Sequence, residues 1–398
     1  MDLTVFPKKL NGSISAIPSK SQAHRLLICA AFADQPTTII CKQTNQDIEA
    51  TAACLNALGA NITRIGSEYI VSPIKKANAT ATLPCGESGS TLRFMLPIVG
   101  ALGVDATFLL EGRLPQRPMS PLWEEMERMG CQLSRPTVST IACRGQLSAG
   151  QYNISGNVSS QFITGLLFAM SIIQGPCNLS ITSNLESKPY VNMTQQALRI
   201  FGIHTDCYTV AADQHFISPG KIIVEGDWSN GAFFLIAEKL GCQVTVDGLS
   251  LDSPQGDRAV AEILHSIDAN PTIDAADIPD LVPILAVAAA AFRGATFTNI
   301  SRLRLKESDR VATVAEMLSN LGAGAIISEN ELTILPAQFH GCTIQSHNDH
   351  RIAMSAAVAA TLADGPVTII GADCVAKSYP SFWNDYQMLG GQYEQYIR

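Results

Sequence analysis

The densest chemistry in the sequence lies in Ile300-Ser-Arg-Leu-Arg-Leu-Lys-Glu-Ser-Asp-Arg. Arg302, Arg304, Lys306 and Arg310 surround Glu307 and Asp309, and a helical pattern follows at Val311, Val314, Ala315 and Leu318. Four cations at a helix start oppose the partial positive charge that this end already carries. They call for an anion, and the unpaired N–H groups of a helix N-terminus bind one. A carboxylate held among cations, as Glu307 is, can also move a proton. A solvated, self-paired turn accounts for the same residues if nothing else converges on them, because exposed ion pairs contribute little.

The positioning elements follow from the apolar pattern. Six segments are apolar nearly all round, which marks buried helices: Ala23–Ala33, Thr91–Ala101, Gln161–Ile173, Asn230–Leu240, Leu281–Phe292 and Arg351–Ala363. Each is followed by a short turn and a β-branched strand, such as Thr37-Thr-Ile-Ile or Val367-Thr-Ile-Ile. Amphipathic helices alternate with them and end at a Gly suited to a left-handed cap: Asp47–Leu58, Leu122–Met129, Val191–Phe201 and Val311–Leu321. The spacing, mostly roughly 70 residues with the fourth-to-fifth interval shorter, marks a repeated unit. The pattern predicts two inside-out α/β domains, each of three βαβαββ-type units with its helices buried. Residues 20–224 are expected to form an inserted domain, and 1–19 plus 225–398 a discontinuous one.

Polar groups cluster where the buried helices begin: Pro18-Ser-Lys-Ser-Gln-Ala-His-Arg, Cys85-Gly-Glu-Ser-Gly-Ser-Thr-Leu-Arg, Val158-Ser-Ser-Gln, Asp227-Trp-Ser-Asn-Gly, Asp277-Ile-Pro-Asp and Asn348-Asp-His-Arg. Ser, Asp and Asn are ordinary N-caps and need no ligand. Lys20, Arg25, Arg93 and Arg351 are different, because a cation at a buried helix start needs an anion. Arg113, Arg117 and Lys377 add loop cations, and Ser187 a hydroxyl before a helix. Serines and backbone N–H groups together with Lys and Arg suit phosphate and carboxylate. If the domains face each other, these groups meet in an interdomain cleft.

Composition narrows the class. With 46% hydrophobic and 16% charged residues, the chain is core-rich and globular. A net charge of −8 argues against a general nucleic-acid binder. Eleven cysteines without a Cys-x-x-Cys pair fit a reducing compartment and no metal site. The opening residues lack the apolar stretch of a secretory leader, and Leu281–Phe292, broken by Pro283, is too short to span a bilayer. A cytoplasmic protein without a membrane segment is expected.

Taken together, Ser19-Lys-Ser with Arg25, Gly86-Glu-Ser-Gly-Ser-Thr-Leu-Arg, Arg117-Pro, Ser159-Ser-Gln, Ser187-Lys-Pro-Tyr, Asp280, Lys306-Glu-Ser-Asp-Arg, Asn348-Asp-His-Arg and Ala376-Lys-Ser-Tyr-Pro resemble, in order and over nearly the whole chain, the EPSP synthase (3-phosphoshikimate 1-carboxyvinyltransferase) family. The resemblance implies transfer of the enolpyruvyl group of phosphoenolpyruvate to the 5-hydroxyl of shikimate 3-phosphate, with release of phosphate. It implies that shikimate 3-phosphate meets Lys20, Ser21, Arg25, Ser159, Ser160, Gln161, Ser187, Asp280, Arg302 and Lys306. Phosphoenolpyruvate would meet Lys20, Gly89, Arg117, Gln161, Arg310, Arg351 and Lys377. Asp280, Glu307 and Lys20 become the catalytic candidates. Asp280 takes the hydroxyl proton, and Glu307 delivers a proton to the methylene carbon and later removes one. No metal or organic cofactor is implied, and a monomer is expected.

Two positions depart from the family pattern. Glu87 stands where many members have Asn, and it needs a cation such as Arg93 or Arg117 beside it. Arg302 also replaces a common Asn. A related enolpyruvyl transferase acting on a UDP-sugar uses a reactive loop Cys, whereas the corresponding segment here, Glu111-Gly-Arg-Leu-Pro-Gln-Arg-Pro, has none. Asp280, Glu307 and Lys20 argue against a non-catalytic phosphometabolite-binding protein.

Overall fold

A computed structural model describes residues 1–396. The chain forms two compact units, one of Pro18–Val224 and one of Met1–Ile17 with the chain from Glu225 onward. In the first unit six helices follow in order: α1 (Lys20–Ala31), α2 (Gln46–Ala57), α3 (Gly89–Leu102), α4 (Leu122–Arg128), α5 (Ser160–Met170) and α6 (Lys188–Ile200). Helices α1, α3 and α5 form the core, since their apolar residues are buried on every side. Helices α2, α4 and α6 bury one face each. Three four-stranded sheets complete this unit. Each joins a parallel pair to an antiparallel hairpin, as where Thr80–Gly86 runs parallel to Asp105–Leu110 and the latter pairs antiparallel with Thr140–Gly145.

The second unit repeats the plan with α7 (Trp228–Lys239), α8 (Val260–Ile263), α9 (Val282–Ala291), α10 (Arg310–Asn320), α11 (His350–Ala359) and α12 (Phe382–Met388). Here α7, α9 and α11 are the buried helices. Its first repeat is the short one, as the narrower fourth-to-fifth interval predicts, but it lacks the amphipathic helix expected of the unit. A 3-10 turn and the single-turn α8 stand in place of an amphipathic helix, and the accompanying sheet has two strands, Asn11–Ser15 and Gln243–Asp247. The strand before α1 thus pairs with the strand after α7. Reciprocally, Lys221–Ile223, before α7, pairs in parallel with Thr37–Ile40, after α1. The N-terminal strand Asp2–Phe6 completes a sheet with Val367–Ile370 and Gln392–Tyr396.

The buried helices begin where the polar clusters predict, because the caps are supplied locally. Side-chain oxygens of Ser19, Ser88, Ser159, Asp227 and Asp349 accept backbone N–H bonds at the starts of α1, α3, α5, α7 and α11. One close approach sets the geometry of the first unit. A Cβ on Gly165 of α5 would lie 2.2 Å from the Arg93 carbonyl oxygen of α3, so the two helices meet backbone to backbone there. That carbonyl is the one Pro97, which lacks an N–H, cannot serve within α3.

Candidate active site

In the Pro18–Val224 unit the candidate residues sit at or beside the first turns of α1, α3, α5 and α6. Lys20 opens α1 and pairs with Asp47 Oδ2 of α2 at 2.9 Å. One turn on, Arg25 is buried; its Nε donates to Thr194 Oγ1 at 2.9 Å, Nη1 to the Ser21 carbonyl at 2.6 Å and Nη2 to the Tyr190 carbonyl at 2.9 Å. Its guanidinium carbon lies 5.2 Å from the centre of the Phe94 ring. Burial lowers its pKa to about 10, so it stays charged at neutral pH. Arg25 therefore ties α1 to α6 while keeping its charge beside Ser21.

The α3–α5 contact places the next group. Arg93 Nη1 donates to Gln161 Oε1 at 2.7 Å, and Gln161 Nε2 donates to Ser90 Oγ at 2.9 Å, which fixes the amide orientation. Arg117 lies over the start of α3, where a Cβ on Gly89 would stand 2.6 Å from Arg117 Nη1. Glycine at 89 makes room for that guanidinium. Ser159 and Ser160 are buried at the start of α5, with Ser159 as its cap. Ser187, before α6, is also buried and takes the left-handed conformation, φ 54° and ψ 39°, uncommon for a residue with a side chain.

In the second unit Arg310, the first residue of α10, is 1% exposed and is bonded to three carboxylates. Its Nη1 donates to Asp280 Oδ1 at 2.6 Å, Nη2 to Glu307 Oε2 at 2.8 Å and Nε to Asp349 Oδ2 at 2.8 Å. Lys306 Nζ lies 3.1 Å from the same Asp280 oxygen. Asp280 is available for this because Leu281 holds the cap position of α9 and makes no side-chain cap bond. Arg302 is buried in the preceding 3-10 turn. Arg351, near the start of α11, donates Nη1 to the Ser229 carbonyl at 2.9 Å and Nη2 to Ser229 Oγ at 2.6 Å. Lys377 Nζ donates to the Asn348 carbonyl at 3.0 Å. Of the cations in the starting segment, Arg304 makes only a loose pair with Asp309 at 3.6 Å, with both side chains partly exposed.

The electrostatics follow from burial and neighbours. Burial alone raises the Asp280 carboxyl, but Lys306, Arg310 and Arg351 overcome that and hold it well below its ordinary value. Burial likewise works against the Asp349 anion, and Arg310 reverses the sign, leaving its pKa lowered. Lys306 titrates below its usual value, first through burial, with Arg302 and Arg310 adding to the effect and Asp280 opposing it. A neutralising anion near these cations would relax the hold on Asp280 and make it a better base.

Sequence reasoning missed Asp349, Asp47 and Ser229. Asp349 reads as an ordinary cap, and it is one, accepting from Arg351 N at 2.9 Å; its second task, holding Arg310, joins residues 39 apart. Asp47 reads as a first-turn acid of α2. Its pairing with Lys20 has no local signature beyond that acid.

The fold and these groups define a class: an α/β protein built from repeated units, with cations, hydroxyls and carboxylates at its helix starts that suit small anionic substrates. The model of the EPSP synthase (3-phosphoshikimate 1-carboxyvinyltransferase) family matches residues 6–275 and 270–386. The chain is 36% identical to a 3-phosphoshikimate 1-carboxyvinyltransferase of Clostridium kluyveri, with 99% of this chain and 98% of the relative covered. It is 38% identical to the Clostridium acetobutylicum protein of the same name, with 98% of each covered. In fold it is similar to an Acinetobacter baumannii EPSP synthase structure, with a TM-score of 0.80 at 24% identity over 99% of this chain and 100% of that one. The chain belongs to the EPSP synthase family.

Proposed function

We infer that this protein is a 3-phosphoshikimate 1-carboxyvinyltransferase, transferring the enolpyruvyl group of phosphoenolpyruvate to the 5-hydroxyl of shikimate 3-phosphate in aromatic amino-acid biosynthesis. The observation that carries the mechanism is Arg310, which holds Asp280 and Glu307 on one guanidinium with Lys306 beside Asp280. Two carboxylates held beside cations in this way are the acid–base pair that addition and elimination require.

The residues take the following parts. Lys20, Ser21, Arg25, Ser159, Ser160, Gln161, Ser187, Asp280, Arg302 and Lys306 bind shikimate 3-phosphate. Lys20, Gly89, Arg117, Gln161, Arg310, Arg351 and Lys377 bind phosphoenolpyruvate. Arg310 and Arg351 suit its planar carboxylate through their forked donors, and the lysines suit phosphate. Asp280 accepts the 5-hydroxyl proton as that oxygen bonds to the enol carbon. Glu307 protonates the methylene carbon, then takes a proton back from that carbon as the C–O bond to phosphate breaks. The substrates' negative charges offset the cations that hold Asp280 ionised, which raises its basicity when the complex forms. Every step is a proton transfer or an exchange of C–O bonds, and the residues present supply them all. We place the activity in the cytoplasm, in a monomer.

Mixing the purified protein with both substrates and measuring released phosphate tests this reading, with a UDP-sugar acceptor as the control. Phosphate release with shikimate 3-phosphate alone among the acceptors is expected. Release with the UDP-sugar would favour the cell-wall reaction. No release with either would leave a binding protein.

A further inference from the structure

The Asp227-Trp-Ser-Asn-Gly segment starts a buried helix, yet the reaction assigned above gives none of its residues a part. We propose that Asp257, acting through the Ser229 hydroxyl of this segment, is a positioning residue that fixes the Arg351 guanidinium for the phosphoenolpyruvate carboxylate. The proposal rests on the functional reading above.

Asp257 lies in the 3-10 turn Gly256–Ala259, the part of the shortened repeat where an amphipathic helix is missing. It is 2% exposed, so its carboxylate must be compensated from within the protein. Ser229 provides a hydrogen bond and Arg351 an opposite charge. Ser229 is held in turn by the first turn of α7, where Asp227 caps the helix by accepting from Asn230 N at 2.8 Å. Trp228 N donates to Gln255 Oε1 at 3.1 Å, which ties the same turn to the loop that carries Asp257.

The direction of the Ser229 proton follows from counting. Its oxygen accepts from Arg351 Nη2 at 2.6 Å, so the single hydroxyl proton is left for the Asp257 carboxylate. Arg351 Nη1 takes the Ser229 carbonyl at 2.9 Å, and the guanidinium carbon lies 5.8 Å from the Phe233 ring centre. Both terminal nitrogens are therefore pinned to one residue. Arg351 Nε is buried and has no hydrogen-bond partner among the described residues.

Electrostatics agree with an ionised Asp257 at working pH. Burial and the neighbouring Asp280 push its carboxyl up to about 6, Asp227 adds in the same direction, and Arg351 and the Ser229 bond oppose them. Above neutrality it is chiefly the anion, the stronger acceptor for the Ser229 proton. Asp257 also faces Asp280, so it contributes negative charge near the base without touching the reacting atoms.

Steady-state kinetics of D257A, D257N, S229A and the S229A/D257A double variant test this. D257A and S229A should each raise KM for phosphoenolpyruvate about tenfold, as for a lost bond to a charged group, with KM for shikimate 3-phosphate within about twofold of wild type. D257N keeps an acceptor oxygen and should restore KM for phosphoenolpyruvate to within about threefold of wild type, and the double variant should be no worse than either single one. An unchanged KM for phosphoenolpyruvate in S229A, equal rises in both KM values, or multiplicative effects in the double variant would overturn the proposal. If D257A does not fold, S229A and D257N decide the matter by the same criteria. A wild-type protein that releases no phosphate would overturn the functional reading instead. A urea-unfolding cycle between S229A and R351K then judges the contact itself, additive effects counting against it.

Discussion

Arg310 and Asp280 are joined at 2.6 Å, from Nη1 to Oδ1, and the same guanidinium reaches Asp349, which is 0% exposed, at 2.8 Å. A buried carboxylate of that kind depends on its cation. Arg310→Ala should destabilise the protein by about 3–5 kcal/mol, the usual cost of removing one partner of a buried pair. Arg310→Ala with Asp349→Asn should recover part of that loss, because the orphaned charge is gone. Urea denaturation followed by circular dichroism measures both, and a loss under about 1 kcal/mol in the single variant would contradict the pairing.

Glu307 and Lys306 are neighbours to which the proposed mechanism gives separate tasks. Glu307→Gln keeps its shape and hydrogen-bonding reach but cannot cycle a proton. Turnover should fall by a factor of about 10² to 10⁴, with shikimate 3-phosphate affinity little changed. Lys306→Ala should do the reverse, weakening that substrate's binding, because its Nζ stands 3.1 Å from Asp280. Near-normal turnover in Glu307→Gln would assign the methylene proton to another group, with Asp280 or Lys20 next.

Gly89 faces Arg117 at a distance no side chain tolerates. Gly89→Ala would place a Cβ 2.6 Å from Arg117 Nη1, and the flexible arginine would move, leaving the backbone in place. The fold should survive, with stability changed by less than about 1 kcal/mol. KM for phosphoenolpyruvate should rise about tenfold, as for a displaced charged contact. Equal KM values in Gly89→Ala and wild type would show that Arg117 does not hold this substrate.

His24 gives a pH signature opposite in sign to that of Asp257, whose carboxyl, raised to about 6, titrates in the same range in both the wild type and a His24 variant. His24 is 1% exposed; Nδ1 lies 2.7 Å from Thr51 Oγ1, and Nε2 is buried without a partner among the described residues. Burial, with Lys20 and Arg25 nearby, drives its pKa well below 6.5. The unfolded chain therefore binds the proton first as pH falls. His24 costs no stability above about pH 6.5, and stability is lost below that value by up to about 1.4 kcal/mol per pH unit until the folded pKa is reached. His24→Gln should remove that component, so the difference between the wild-type and variant curves reports His24 alone. Asp280 and Asp349, whose folded pKa values are lowered, lose their contribution only below the ordinary carboxylate range, so the two effects separate. Wild-type and His24→Gln unfolding curves that stay parallel from pH 7 to pH 5 would refute the assignment.

By itself the sequence determined what is local. Apolar runs without a polar face, with Ser or Asp before them, specify buried helices with capped starts, and α1, α3, α5, α7, α9 and α11 lie within a few residues of the segments read from the pattern. The residue types at those starts, and their order along the chain, also place the protein in its family. Tertiary structure decided the pairings. Arg25 reaches Thr194 across 169 residues, Arg351 reaches Ser229 across 122, and Arg310 gathers Asp280 and Asp349 from 30 and 39 residues away. Periodicity cannot encode such partners, because it records which side of an element is apolar and not what the polar end will meet. The same holds for Asn11–Ser15, which pairs with Gln243–Asp247, and for the shortened repeat that brings Asp257 beside Ser229. Those choices depend on how the helices pack, and a backbone contact such as Gly165 against the Arg93 carbonyl exists only once they have.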